Sequence, residues 1–319
     1  MGSALKRFFK RFNPKGHDHL SEKIFIAAFG KHPGWDDHID DIGFETGIFI
    51  TVKRILYIQG IGGNIDSGSW DKLKEDQLIE EFKHVFFWYI NGNLVVGRMW
   101  SSQDGKGRKS YPFVVCAQCN KLSIKWIFEN VLPRLEKVET ICTATTSATD
   151  VRMAIQNTWQ ELRQLTRQYE APTYPAVVYP NAIVKLARDP EMGPNKEGLF
   201  RVLYHIEREV GWRRAHNASN TALRSASLRL PTSQDTILES ILLWNSFLIN
   251  ILGKNTPMLI LIPIRKNWMD IIIGEPTETQ LYCLRASLKV IPLTSSIPYN
   301  MDSGFTVQAN KLMEDSLGG

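Results

Sequence analysis

Two aromatic and β-branched runs, Phe82–Ile90 and Leu94–Trp100, are separated only by Asn91-Gly92-Asn93. An Asn-Gly turn between such runs is a strong local hairpin signal, because both residues accept the positive φ that a tight turn between twisted strands requires. A chain that makes this hairpin needs an apolar layer on each strongly hydrophobic face, which points to a sheet inside a mixed α/β protein. Further strands are predicted at Lys23–Phe29, Tyr111–Cys119 and Ala222–Leu230. A second hairpin, Met258–Ile264 with Trp268–Ile273, is expected around Lys266-Asn267.

Helical spacing appears over Ile48–Ile58, ending near Gly60, Gly62 and Gly63, and over Ser123 to Val138. In Asp150–Tyr169, the residues Val151, Ile155, Trp159, Leu162 and Leu165 form one stripe. Leu199–Val210, Thr236–Leu252 with Gly253 after it, and a short piece within Glu278–Ser287 complete the set. Strands and helices alternate irregularly. The reading is therefore a mixed, mostly antiparallel sheet flanked by helices, not a doubly wound fold. Pro172, Pro175 and Pro180 place a boundary near Ala171–Pro180. This divides the chain into a tail (1–20), an N-terminal domain (21–170) and a C-terminal α+β subdomain (171–319).

Composition narrows the function classes. No stretch reaches the ~18 uninterrupted apolar residues of a spanning helix; Ile241–Leu252 is short and carries Asn245, Ser246 and Asn250. No secretory leader or myristoylation pattern is read at the start, where position 6 is Lys6. Four cysteines in 319 residues are too few for a disulfide framework. The expected location is cytoplasmic, with peripheral attachment at an inner membrane through the tail.

The net charge of +5 equals the charge of residues 1–17, which hold Lys6, Arg7, Lys10, Arg11 and Lys15 and no acid. The body is near neutral, which argues against nucleic acid as a partner. In the tail, Leu5, Phe8, Phe9 and Phe12 fall on one helical face opposite the cations, a pattern suited to an anionic membrane surface or a protein partner.

Four constellations invite chemical readings. The loop at residues 30–41 gathers His32, Asp36, Asp37, His38, Asp40 and Asp41, residue types that ligate divalent metals. No HExxH pattern frames them, and Asp beside Gly and Pro commonly serves turns. Residues 101–112 (SSQDGKGRKSYP) place glycines among cations, but the spacing is not a phosphate loop and a strand follows rather than a helix. Its alternative role is a connecting loop in which Arg108 pairs with Asp104 or with the acids at 36–41. Cys116 and Cys119 sit on a strand rather than a helix N-terminus, so they read as core residues on different faces. Gly60-Ile61-Gly62-Gly63 follows a helix and is no dinucleotide fingerprint. No Ser/His/Asp or Cys/His triad is legible, and no cofactor is expected. His84 and His205 lie among apolar residues.

Two of these loops resemble the TagF (ImpM) family of type VI secretion. The family's opening GK-x-P loop is similar to Gly30-Lys31-His32-Pro33-Gly34-Trp35-Asp36-Asp37. Its later S-x-D-x-x-G-R signature is similar to Ser102, Asp104, Gly107 and Arg108, with Tyr111-Pro112 after it and Trp70-Asp71 between. Asp36 stands where the family has Gly, and His38 where it has an aromatic. The resemblance covers residues 23–150. It implies a longin-like sheet-and-helix domain with no catalytic residues. It further implies an adaptor that restrains secretion by engaging a scaffold, a forkhead-associated protein in the family pattern. Lys31, Pro33, Trp35, Asp37, Ser102, Asp104, Lys106 and Arg108 would form its binding motifs. Asp37 and Arg108 are expected to clamp the two loops, with Trp35 as the exposed anchor. Two other readings remain: a structural component or chaperone of a contractile apparatus, and a metal-dependent hydrolase built on His32, Asp36, Asp37 and His38.

Overall fold

The computed structural model describes residues 23–90, 92–170, 186, 192, 196–210, 225–232, 237–253 and 255–315. The tail, with Leu5, Phe8, Phe9 and Phe12, lies outside the described residues, as does the expected boundary at 171–180.

Seven strands form one sheet in the order β1-β4-β3-β2-β6-β7-β5. They are β1 (Ile24–Gly30), β2 (Lys83–Ile90), β3 (Asn93–Ser101), β4 (Pro112–Cys119), β5 (Ala226–Pro231), β6 (Met258–Pro263) and β7 (Trp268–Ile273). Every pairing is antiparallel. Both expected hairpins form: Ile90 faces Asn93 across the first, and Leu261 faces Asp270 in the second. The mixed α/β reading with an antiparallel sheet holds. Residues on either side of the expected boundary share the sheet, because β2 pairs directly with β6 from His84↔Pro263 to Tyr89↔Met258.

The sheet is apolar on both faces. On one, Ile26, Phe87, Val96, Val115, Ile260 and Ile271 pack under helices α3 (Ile124–Ala144), α4 (Ala148–Arg167), α5 (Glu197–Glu209) and α6 (Ile237–Leu252). On the other, Phe25, Phe29, Phe86, Trp88, Val114 and Ile272 pack under α1 (Gly47–Val52), its continuation, and α7 (Glu278–Leu281). Burying each of these large side chains contributes roughly 1.5–3 kcal/mol. A last helix, α8 (Ser303–Asp315), contacts α5.

The helix expected to stop near Gly60 runs on. After α1 it widens into a π-helical stretch, Lys53–Gly62, and closes as α2 (Gly63–Asp66). The glycines are packing residues: a Cβ at Gly60 would come within 2.2 Å of Leu281 on α7. Tertiary packing against that neighbour overrides the low helix propensity of glycine. Cys116 and Cys119 fall in the cores of opposite faces, and burial pushes both thiols up.

Two charged residues inside apolar strands carry a role that sequence reading missed. Arg229 on β5 makes a bidentate pair with Asp270 on β7, at 2.7 and 2.8 Å. Its guanidinium also donates to the carbonyls of Cys283, Ala286 and Ile291. Burial pushes the Asp270 carboxyl up even with the cation beside it. The pair thereby staples residues 283–291 against the sheet. The only available signal was a lone Arg in Ser227-Leu228-Arg229-Leu230 and a lone Asp in Met269-Asp270-Ile271.

Two interlocked loops as the candidate functional site

The antiparallel order puts the end of β1, the end of β3 and the start of β4 at one edge of the sheet. The loops that leave them, residues 31–41 and 102–111, therefore meet. Their junction is organised by Asp104, which is 1% exposed. One carboxylate oxygen, Oδ1, accepts from the amides of Lys106 and Arg108, both at 3.0 Å. The other, Oδ2, accepts from Lys31 Nζ and Arg108 Nε, both at 2.7 Å. Burial pushes the Asp104 carboxyl up, but the Lys31 ammonium and the Arg108 amide and guanidinium outweigh it. They hold the group well below the usual carboxylate range.

The backbone joins the loops as well. Gly105 N donates to Trp35 O at 2.6 Å. A Cβ on Gly105 would sit 3.1–3.2 Å from the carbonyls of Trp35 and Pro33 and the carboxylate of Asp36, so a side chain there would have to push the loops apart by a few tenths of an ångström.

The expected clamp between Asp37 and Arg108 is present, but at the surface. Arg108 Nη2 lies 3.1 Å from Asp37 Oδ1, with the two side chains 51% and 66% exposed, and it also donates to Asp36 O. The buried ion pair is Lys31–Asp104. This corrects two expectations: Lys31, 4% exposed, is no contact residue, and the principal clamp is not Asp37–Arg108. The reason is positional. Lys31 directly follows Gly30, the last residue of β1, and Asp104 lies three residues beyond the end of β3, so both project into the junction, whereas Asp37 rides on the outer turn.

Trp35 is half-buried rather than an exposed anchor. Its Nε1 donates to Asp40 Oδ2 at 3.3 Å, Arg152 lies over its ring, and it packs edge-on against His32. Asp40 in turn pairs with Arg152 at 2.6 Å. Trp35 thus braces the first loop against α4. Lys106 is exposed, while Pro33 and Ser102 are half-buried and line an adjoining cleft.

Several side chains of the acid- and histidine-rich loop are engaged in local contacts. His32 is 1% exposed; Nε2 donates to Cys142 O at 2.9 Å, and Nδ1 accepts from the Gly34 amide at 3.0 Å. Both ring nitrogens are engaged, and burial lowers its pKa despite those carbonyls. His38 pairs with Asp37, and Asp41 with Lys53. Among the described residues, no three His, Cys, Asp or Glu side chains converge on a point that could hold a metal ion. Trp70 of the Trp70-Asp71 pair is a core residue whose Nε1 donates to Tyr282 O.

The cleft beside the loops has a volume of about 740 Å³. It opens across the starts of β2 and β4 and the end of β3, with residues 142–146 at the end of α3 as one wall. No helix among the described residues is long and apolar enough to cross a membrane.

Fold and site together define a three-layer α/β protein with a single antiparallel sheet and a charge-locked double loop at one end. No protein-family model matches the chain, and no curated protein matches it significantly.

Proposed function

We propose that this protein is a non-enzymatic adaptor that binds a protein partner through the double loop, in the manner of the TagF-like proteins its two motifs resemble. One observation carries the reading. The buried charges of the two motifs, Lys31 and Asp104, are consumed in locking the loops together, and His32 ties the first loop to the end of α3 through Cys142, which favours a binding platform over an activated group. Loops held on a rigid scaffold are where recognition residues concentrate. The exposed face of the platform offers Asp36, Asp37, Lys106 and the Arg108 guanidinium edge. A secretion scaffold of the forkhead-associated type is the partner that the motif resemblance points to.

The test is affinity capture on the full chain in lysate of the source cells, comparing the wild type with Lys106→Glu and with Arg108→Ala. A scaffold protein of a secretion machine should be retained by the wild type and reduced at least tenfold by Lys106→Glu, with an unchanged melting curve. Capture that ignores both variants overturns the reading. So does hydrolysis of a nucleotide or ester by the pure protein that disappears in Asp37→Asn.

A further inference from the structure

The cleft beside the double loop is polarised in charge. Glu80 and Glu81, just before β2, line it on one side, and Lys109 and Ser110, just before β4, line it on the other. Ser102 and Gln103, leaving β3, lie between them. None of these six side chains makes a hydrogen bond or ion pair with another described residue. The remaining cation of the cleft, Arg285, is already engaged: it donates to the carbonyls of Ile79 and Glu80 and lies over the rings of Trp70 and Phe82. The cleft is thus a concave surface with the Glu80 and Glu81 carboxylates at one end, Glu80 within electrostatic reach of Arg285, the Lys109 ammonium at the other, and hydroxyl and amide groups between them.

We propose that this cleft takes an extended segment of the partner protein, carrying a basic and an acidic side chain two or four residues apart. The spacing follows from the sheet. The strands β2 and β4 both neighbour β3, so their starts are separated by two inter-strand steps, about 10 Å. An extended peptide advances about 3.3 Å per residue and turns successive side chains to opposite faces, so two charges that both face the cleft lie two or four residues apart, about 7 or 13 Å, and side-chain length covers the difference. The basic side chain meets Glu80 and Glu81, and the acidic one meets Lys109. Ser102, Gln103 and Ser110 serve the peptide's main-chain groups. The inference rests on the partner-binding reading above and specifies the chemistry of the bound segment.

Fluorescence polarisation on the full chain tests it. The probes are labelled ten-residue Gly/Ser peptides holding one Arg and one Asp two or four positions apart, in either order. Controls are the uncharged Gly/Ser peptide and one with two Asp. At least one paired peptide should bind tenfold more tightly than both controls. Glu80→Gln with Glu81→Gln, and Lys109→Gln separately, should each weaken it about tenfold, the size expected when one charged hydrogen bond is lost. Because these exposed side chains make no hydrogen bond or ion pair with another described residue, the variants should melt close to the wild type. Paired peptides that bind no better than the controls overturn the proposal, as do variants that melt normally and bind unchanged. The adaptor reading is judged separately: capture that is lost with Lys106→Glu while every peptide fails removes the cleft proposal alone.

Discussion

Lys31 and Asp104, 73 positions apart in sequence, form a 2.7 Å ion pair with both side chains almost wholly withdrawn from water. A desolvated pair of this kind is tolerated only when its remaining hydrogen-bonding capacity is met. Asp104 meets it by also accepting from two backbone amides and from Arg108. The rest of the double loop is arranged around that carboxylate.

The buried pair and the surface pair should therefore respond differently to substitution. Asp104→Asn leaves the buried Lys31 with only the exposed Asp37 carboxylate, 3.8 Å away, as counter-charge and should lower the melting midpoint by several degrees. Asp37→Asn acts on a 66% exposed, solvent-screened carboxylate that touches Arg108, His38 and, at 3.8 Å, Lys31, and should lower the midpoint far less. Scanning calorimetry of the two variants decides the ranking; equal effects would mean that Asp104 does not organise the junction.

The staple between β5 and β7 should be costlier to break. Arg229→Met strands the Asp270 carboxylate and releases the carbonyls of Cys283, Ala286 and Ile291. A loss of about 3–5 kcal/mol is expected, the range seen when one member of a buried pair is removed. Adding Asp270→Leu should recover part of it. Chemical denaturation of the single and double variants measures both, and a double variant weaker than the single one would contradict the pairwise account.

His84 is 2% exposed, and burial, reinforced by the nearby charges of Arg229 and Arg285, lowers its pKa to about 3. A folded pKa below the unfolded value of about 6.5 adds stability above pH 6.5. That stability is lost as the pH falls from there toward 3. By linkage, the His84 contribution should fall by about 2 kcal/mol between pH 7 and pH 5. Denaturation curves at the two pH values should differ by that amount in the wild type and converge in His84→Leu. A wild type equally stable at both would count against a buried neutral His84.

Gly97 should be intolerant of any side chain. A Cβ there would lie 2.2 Å from the Phe86 ring and 2.9 Å from Cys116, in the middle of the sheet. Gly97→Ala should cost about 1–3 kcal/mol through overpacking, read by urea denaturation. The double variant Gly97→Ala with Phe86→Leu should regain part of the loss.

Much of the architecture was legible because hydrophobic pattern and turn chemistry are local. Phe82–Ile90 and Leu94–Trp100 could only pair as a hairpin across Asn-Gly, and the stripe from Val151 to Leu165 could only bury one helical face. The helix through Gly60 was misjudged because its continuation depends on Leu281, more than 200 residues away, and local propensity contains no record of that neighbour. The charged positions of the double loop could be named from the motifs, but their roles could not. Lys31, Asp37, Asp104 and Arg108 are equally polar in sequence, and only their distance from the ends of β1 and β3 separates the buried pair from the exposed one.

The sequence by itself determined that this chain builds an apolar-faced, mostly antiparallel sheet with helices over it. It also placed two charged, glycine-bearing loops on the polypeptide, because periodicity and turn residues act over a few positions. Tertiary structure decided that β2 pairs with β6 and joins both halves into one sheet. It also decided that His32 donates to Cys142 and accepts from Gly34, and that Lys31 and Arg108 share one oxygen of the buried Asp104 carboxylate. These outcomes depend on which distant groups arrive at the same desolvated point. There the energy of a charge is set by its neighbours and its exposure to water, neither of which is a property of the residue alone.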